Sequence, residues 1–241
     1  MTEKGFMTVG LIIYLPLLFA LMFSFYWIVW FLNQKHQLEN ICFRYILAAQ
    51  DDLINGNNRL IQLNPQAQRL IIEKKFLNTV IKTAPPKVRA VAYLRKKQII
   101  AQQALLKSTQ ESLLLSSEYR SRQQMRKLHN EIQKHFRQMQ DFWQTQPAQA
   151  PHLRPQWRKS QVQIDQKDIA PTYKRSQSHS QQQTLKMHWS LPLNQVAPQW
   201  LVRLASIQPK WLGFCESHPY HQGGKWHSSI GAGKASWKQL F

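Results

Sequence analysis

Residues 6–32 read FMTVGLIIYLPLLFALMFSFYWIVWFL, and the character of this run decides the architecture. None of its 27 side chains is charged. A bilayer core takes roughly 20 apolar residues of helix to cross. A helix is the form expected there, because lipid offers no partner to a bare backbone N–H or C=O. The aromatic residues crowd the second half, at Phe23, Phe25, Tyr26, Trp27, Trp30 and Phe31. Trp and Tyr favour the interface, where a ring is half wet. Pro16 removes one backbone donor and predicts a kink. A cleaved secretory signal would carry a shorter apolar core and a small-residue exit. The exit here is Trp30-Phe31-Leu32-Asn33, so a span is expected instead.

The helical signal does not stop at Leu32. From Asn33 onward there is no Pro or Gly until Gly56. Leu38, Ile41, Cys42, Tyr45, Ile46 and Ala49 recur at steps of three and four, which is one stripe of a helix. Asn55-Gly56-Asn57-Asn58 predicts a stop or a kink. A short helix follows from about Pro65 to Lys82, with Pro65 in the first turn. Pro85-Pro86 breaks it. Residues 87–146 then form the longest segment free of both Pro and Gly. Met125, Leu128, Ile132, His135, Met139 and Phe142 are spaced 3, 4, 3, 4 and 3, a heptad-like seam with His135 as its polar member. The seam predicts two long helices packed as an antiparallel pair, with self-association of two copies as the alternative.

Beyond residue 146 the composition changes. Residues 147–183 hold Pro147, Pro151, Pro155 and Pro171 and the run SQSHSQQQ, and read as a linker or long loop. Within it, WRKSQVQID (157–165) alternates enough to be a strand. From Thr184 short strands are expected in TLKMHWSL, PKWLGFCESH and GGKWHSSI, with Gly223-Gly224 as a turn. Six of the nine Trp lie at or after Trp157, which places a small β-rich core at this end. No repeat is evident.

The chain carries 32 Lys and Arg against 12 Asp and Glu, a net charge of +20, nearly all of it beyond Gln34. Such a field attracts nucleic acid, anionic lipid or acidic proteins. Cations run along the long helix from Lys87 to Arg137 and continue through Arg154, Arg158, Lys159, Lys174 and Arg175. Interleaved Trp and Tyr are compatible with single-strand binding, but no nucleic-acid fold signature accompanies them. A solvated basic face accounts for the charge, and nucleic acid is not expected as the partner.

No catalytic constellation emerges. His218, His221 and His227, with Cys215 and Glu216, have metal-ligating chemistry at irregular spacing, and a solvated His-rich loop accounts for them. Gly231 to Ser236, GAGKAS, fails the phosphate-loop pattern, because Ala235 follows Lys234 and the first Gly is misplaced. Asp51 and Asp52 are adjacent on a helix and point about 100° apart, so they do not form a shared acid–base site. The expectation is no enzyme, no metal and no cofactor. The two cysteines, Cys42 and Cys215, are too few for a zinc cage and compatible with one disulfide.

The start of the chain holds the one function-specific pattern. Lys4-Gly5-Phe6-Met7-Thr8-Val9-Gly10 leads straight into the apolar run. It resembles the leader of type IV pilins and pseudopilins, which a prepilin peptidase cuts after a Gly to expose an often aromatic first residue. Val9 to Leu18, with Leu15-Pro16-Leu17-Leu18, is similar to the opening of TadE-like tight-adherence pseudopilins. The likeness covers about the first 20 residues. It implies cleavage between Gly5 and Phe6 and assembly with pilin-like subunits through the N-terminal helix. It departs from those families at Gly10, the fifth mature position, where Glu is usual and is thought to pair with a neighbouring subunit's N-terminal amine. That departure implies a minor or initiating subunit, or a relative no longer processed. In such a protein the polar part faces the periplasm, where disulfides persist, and a Cys42–Cys215 bridge is expected to tie the β-rich end to the anchor helix. Flanking charge points the other way: the basic side of a span tends to be cytoplasmic, and here that is the C-terminal side. Long domains translocate largely regardless of that rule.

The expected fold is therefore α+β: an N-terminal transmembrane helix extended into long helices that form a hairpin, then a small β-rich part. The expected divisions are a leader at 1–5, a span at 6–33, a helical region at 34–146, a linker at 147–183 and a β-rich region at 184–241. The expected function is a minor TadE-like pseudopilin of a bacterial inner membrane, single-pass, with its C-terminal part periplasmic or in an extracellular filament. The alternative is a membrane-tethered basic helical protein that holds nucleic acid, anionic lipid or an acidic protein.

Overall fold

The computed structural model describes residues 3–143, 152–156, 164–174, 185–192, 210–222 and 225–231. Among the described residues three helices come first: α1 (Glu3–Gln62), α2 (Asn64–Thr83) and α3 (Pro86–Trp143). Six strands follow among them: β1 (His152–Gln156), β2 (Ile164–Gln166), β3 (Thr172–Tyr173), β4 (Leu185–Pro192), β5 (Lys210–Gln222) and β6 (Lys225–Gly231). The chain is mostly helical, with a long N-terminal helix and a small C-terminal sheet. It divides into two compact units, Met1–Ile41 and Cys42–Phe241.

In the first unit α1 runs unbroken through Pro16. The apolar run lies in a helix long and apolar enough to cross a membrane, and its most apolar stretch is 0% buried. Ile12, Tyr14, Phe19, Leu21, Met22 and Phe25 are each more than half exposed.

In the second unit the helices pack along their stripes. Cys42, Ile46, Ala49, Leu53 and Leu60 of α1 are buried, at spacings that keep them on one face. Of the stop or kink expected at Asn55-Gly56-Asn57-Asn58, the stop is absent: α1 continues to Gln62. The reason lies on another helix. A Cβ added at Gly56 would sit 2.5 Å from the Cβ of Ser117 on α3, so this glycine is a point of close helix approach. The break falls at Leu63 instead. Pro65 has no N–H to donate to Ile61, and its ring would crowd that carbonyl. Leu63 N–H reaches Leu60 O at 3.1 Å and Ala67 N–H reaches Leu63 O at 3.0 Å across the joint. Helix α2 ends at Thr83, and Ala84 after it is extended (ψ 158°) because it precedes a proline.

Along α3 the buried positions are Ala92, Ile99, Gln103, Leu106, Gln110, Ser117, Ser121, Met125, Leu128, Ile132, His135, Phe136 and Met139. The predicted seam is buried as far as Met139, and Phe142 departs from it at 55% exposure. Ion pairs mark the contacts: Glu73 of α2 with Arg95 at 3.5 Å and Asp52 of α1 with Arg120 at 3.9 Å. Ala67, Leu70, Ile99, Leu106 and Ala170 form one apolar core cluster.

The stretch 147–183, expected to be linker, contains β1, β2 and β3. Strand β1 joins the main sheet, whose order is β1-β4-β5-β6 with every neighbour antiparallel. Among the described residues it is an edge strand, and it holds Pro155, which an edge tolerates because one side needs no donor. Strands β2 and β3 form a separate pair. Of the predicted strand at 157–165, the part from Ile164 is strand and 157–163 lie outside the described residues, as does the Gly223-Gly224 turn. Leu185, Met187 and Trp189 alternate inward on β4, as Cys215 and Ser217 do on β5. Lys186 and Glu216 stand opposite each other on the other face, 2.7 Å apart. Trp189 meets Phe136 of α3 edge-on at 6.3 Å between ring centres.

Candidate functional site

Three places carry the residues that matter. The first is the N-terminal part of α1. The backbone of Gly5, Phe6 and Gly10 is helical, while the side chains of residues before Ile12 lie outside the described residues. Further along, Trp27 and Phe31 stack one turn apart at 5.7 Å. Ser24 donates its hydroxyl to Ala20 O at 2.7 Å, which hides the only polar side chain of that turn inside the helix's own backbone bonding. Leu21, Met22, Phe25, Tyr26 and Val29 wall a shallow apolar recess. This surface has the chemistry to meet lipid or other apolar helices.

The second is the covalent joint. Cys42 and Cys215 form a disulfide, with Cα atoms 6.1 Å apart and 173 residues between them in sequence. Both residues are buried, at 0% and 1% exposure. The bridge joins α1 to the inward face of β5. It also removes Cys215 from any metal site, and Glu216 is occupied by Lys186. His227 is exposed on β6, and the side chains of His218 and His221 lie outside the described residues. Among the described residues no group of three or more His, Cys, Asp or Glu is placed to hold a metal. Of GAGKAS, Gly231 ends β6 and residues 232–236 lie outside the described residues.

The third is the polar contact of α1 with its neighbours. Asp51 accepts a hydrogen bond from Ser228 of β6, whereas Asp52 turns to Arg120 of α3. The adjacent carboxylates thus diverge, as their helical phase demands. Asp52 lines a cleft of about 360 Å³ with Asn55, Asn58, Arg59, Gln62 and Arg120. Burial pushes its carboxyl above the ordinary value; Arg120 opposes this, and the neighbouring Asp51 adds to it. His135 is held below the ordinary imidazole value by burial. Its Nε2 has no hydrogen-bond partner among the described residues.

A clamp that the sequence did not announce lies at 164–174. Asn64 at the start of α2 brackets Tyr173: its Nδ2 donates to Tyr173 O at 2.8 Å, and its Oδ1 accepts from Tyr173 N–H at 3.0 Å. Gln110 donates to Pro171 O at 3.0 Å. Asp168 pairs with Lys74 and accepts from Gln103 at 3.4 Å. Burial alone would raise the Asp168 carboxyl, but the bonds from Lys74 and the Ile169 N–H, with the Lys74 charge, hold it below the ordinary value. The only sequence signal was polar residues, Gln103 and Gln110, recurring at a seven-residue step among the apolar positions Ala92, Ile99 and Leu106. Compared with family models, curated proteins and solved structures, the chain finds no match in any of the three.

Proposed function

We propose that this chain is a membrane-anchored structural subunit of the TadE-like pseudopilin kind. In this reading α1 crosses a bacterial inner membrane, the long helices form a hairpin beyond it, and that part lies in the periplasm or in a filament. The observation that carries the reading is the exposed apolar band of α1, 0% buried over its most apolar window, on a helix that runs on to a buried stripe. A helix satisfies its own backbone and is therefore stable in lipid without protein cover. The same band is available to the helices of neighbouring subunits. A buried disulfide between Cys42 and Cys215 fits an oxidising compartment such as the periplasm. Gly10, in place of the Glu usual in those families, suits a minor or initiating subunit. A prepilin peptidase is the expected processing partner, acting between Gly5 and Phe6. No catalytic role is assigned to the chain.

Thiol labelling of intact spheroplasts, with and without reductant, tests the orientation. Labelling of Cys42 and Cys215 from outside, only after reduction, supports the reading. Two free thiols that label only after lysis overturn it. Intact-mass measurement tests the processing: loss of residues 1–5 is expected, and a chain that keeps them removes the pilin-like leader from the proposal.

A further inference from the structure

The turn between α2 and α3 bears an unusual surface. From Lys75 to Lys97 there are seven Lys and Arg and no Asp or Glu. Lys75, Lys82, Lys87, Arg89 and Lys97 are exposed, as is every residue from Pro85 to Val91. Apolar side chains stand among these cations. On α2 they are Ile72 and Phe76, both 66% exposed; on α3 they are Val88, Val91, Tyr93 and Leu94, each at least half exposed. All six fall within a dozen residues of Ala84-Pro85, so all lie within roughly 18 Å of the turn at the rise of a helix. Arg89 also folds back on the turn, donating to Ala84 O at 3.2 Å, and Arg95 is tied to Glu73. The tip is thus a helical corner that displays cations and large apolar groups together.

We propose that this tip docks on an anionic phospholipid surface. Nucleic acid would use the cations and leave Ile72, Val88, Val91 and Leu94 without a partner, since aliphatic side chains gain nothing from phosphate. A second copy of the chain would set like charge against like charge. An anionic bilayer uses both features: its headgroups attract Lys and Arg, and its acyl boundary accepts Phe, Val and Leu beside them. Long Lys side chains lie along such a boundary with their ammonium groups in the headgroup layer. The inference concerns the turn alone and goes beyond the anchoring proposed for α1.

The test uses the full chain in nanodiscs of phosphatidylcholine, with a chain that stays out of the discs assayed free. Co-flotation is measured with phosphatidylcholine vesicles, with and without phosphatidylglycerol. Capture by the anionic vesicles is expected to exceed that by neutral ones by about tenfold. Lys82→Glu with Lys87→Glu, and separately Phe76→Ser with Leu94→Ser, are each expected to reduce capture by about tenfold. All four positions are exposed, and circular dichroism checks that the helices are kept. Equal capture by both vesicle types, or no capture, overturns the proposal. So does full capture of the Phe76→Ser, Leu94→Ser chain, which would mark a surface read by charge alone, as nucleic acid or an acidic protein would read it.

Discussion

The two halves of α1 are one continuous helix with opposite surroundings. Residues 14–32 present large apolar side chains outward, Leu21 at 64% exposure and Phe25 at 70%. From Cys42 to Leu60 the residues Cys42, Ile46, Ala49, Leu53 and Leu60 form one nearly inaccessible stripe, while Phe43, Tyr45 and Leu47 beside it are half-buried. The backbone hydrogen bonding is the same in both. What differs is the number of apolar faces: all around in the first half, one in the second. A helix apolar all round has to find cover elsewhere, whereas a one-sided helix finds it in its own chain. The contrast shows that helix formation and helix burial are separate properties of a sequence.

The largest test of the contrast is the covalent joint in the second half. Cys42→Ser with Cys215→Ser is expected to cost about 5 kcal/mol of unfolding free energy by the chain-entropy model, read by urea unfolding followed by circular dichroism. A loss below about 1 kcal/mol would mean the stripe holds without it. Next comes a pair of truncations. Ile132→Ala, at a fully buried position of α3, is expected to cost about 2–5 kcal/mol. Leu21→Ala in the exposed half is expected to stay within about 0.5 kcal/mol in the same assay. Equal effects would erase the distinction between the halves. Gly56→Ala comes third: helix propensity alone would make it stabilising by nearly 1 kcal/mol, but the clash with Ser117 reverses the sign, to a cost of about 1–3 kcal/mol. Adding Ser117→Gly should recover part of it.

Smaller effects come from the titrating groups. Lys74→Met is expected to cost about 1 kcal/mol. The Asp168 carboxyl is depressed in the folded chain, so its contribution is present above about pH 4 and is lost as pH falls through the lower, folded value. Lys74→Met should flatten that loss. His135 is also depressed, and for a base the consequence is different. Below about pH 6.5 the unfolded chain takes up a proton that the folded chain resists, so stability falls as pH drops from there. His135→Leu should remove that slope in melts between neutral and mildly acidic pH.

Much of the helical layout was legible because its signals are local. Pro65 and Pro85-Pro86 punctuate the helices, and a stripe at steps of three and four needs no knowledge of the partner. Strands β4, β5 and β6 were legible from alternation and Trp content. Gly56 was not, because its meaning depends on Ser117, 61 positions away; read alone, Asn-Gly-Asn-Asn is turn chemistry. Within 147–183 the end of the strand expected at 157–165 reached β2, while β1, β3 and the partners of β2 were hidden, for two reasons. Pro155 demotes β1 unless its edge position is known. Strands β2 and β3 are held less by their own pattern than by Asn64, Lys74, Gln103 and Gln110 on the helices. The divergence of Asp51 and Asp52 followed from helical phase, but Ser228 and Arg120 as their partners did not.

The bridge between Cys42 and Cys215 also sets a path for force. Tension applied to β5 and carried toward the first half of α1 crosses one covalent bond and enters the helix at Cys42. Residues 43–214, with α2, α3 and the 164–174 clamp, are shunted out of that path. Their packing is spared the load, and the mechanical strength of the connection is that of a covalent bond and a single helix.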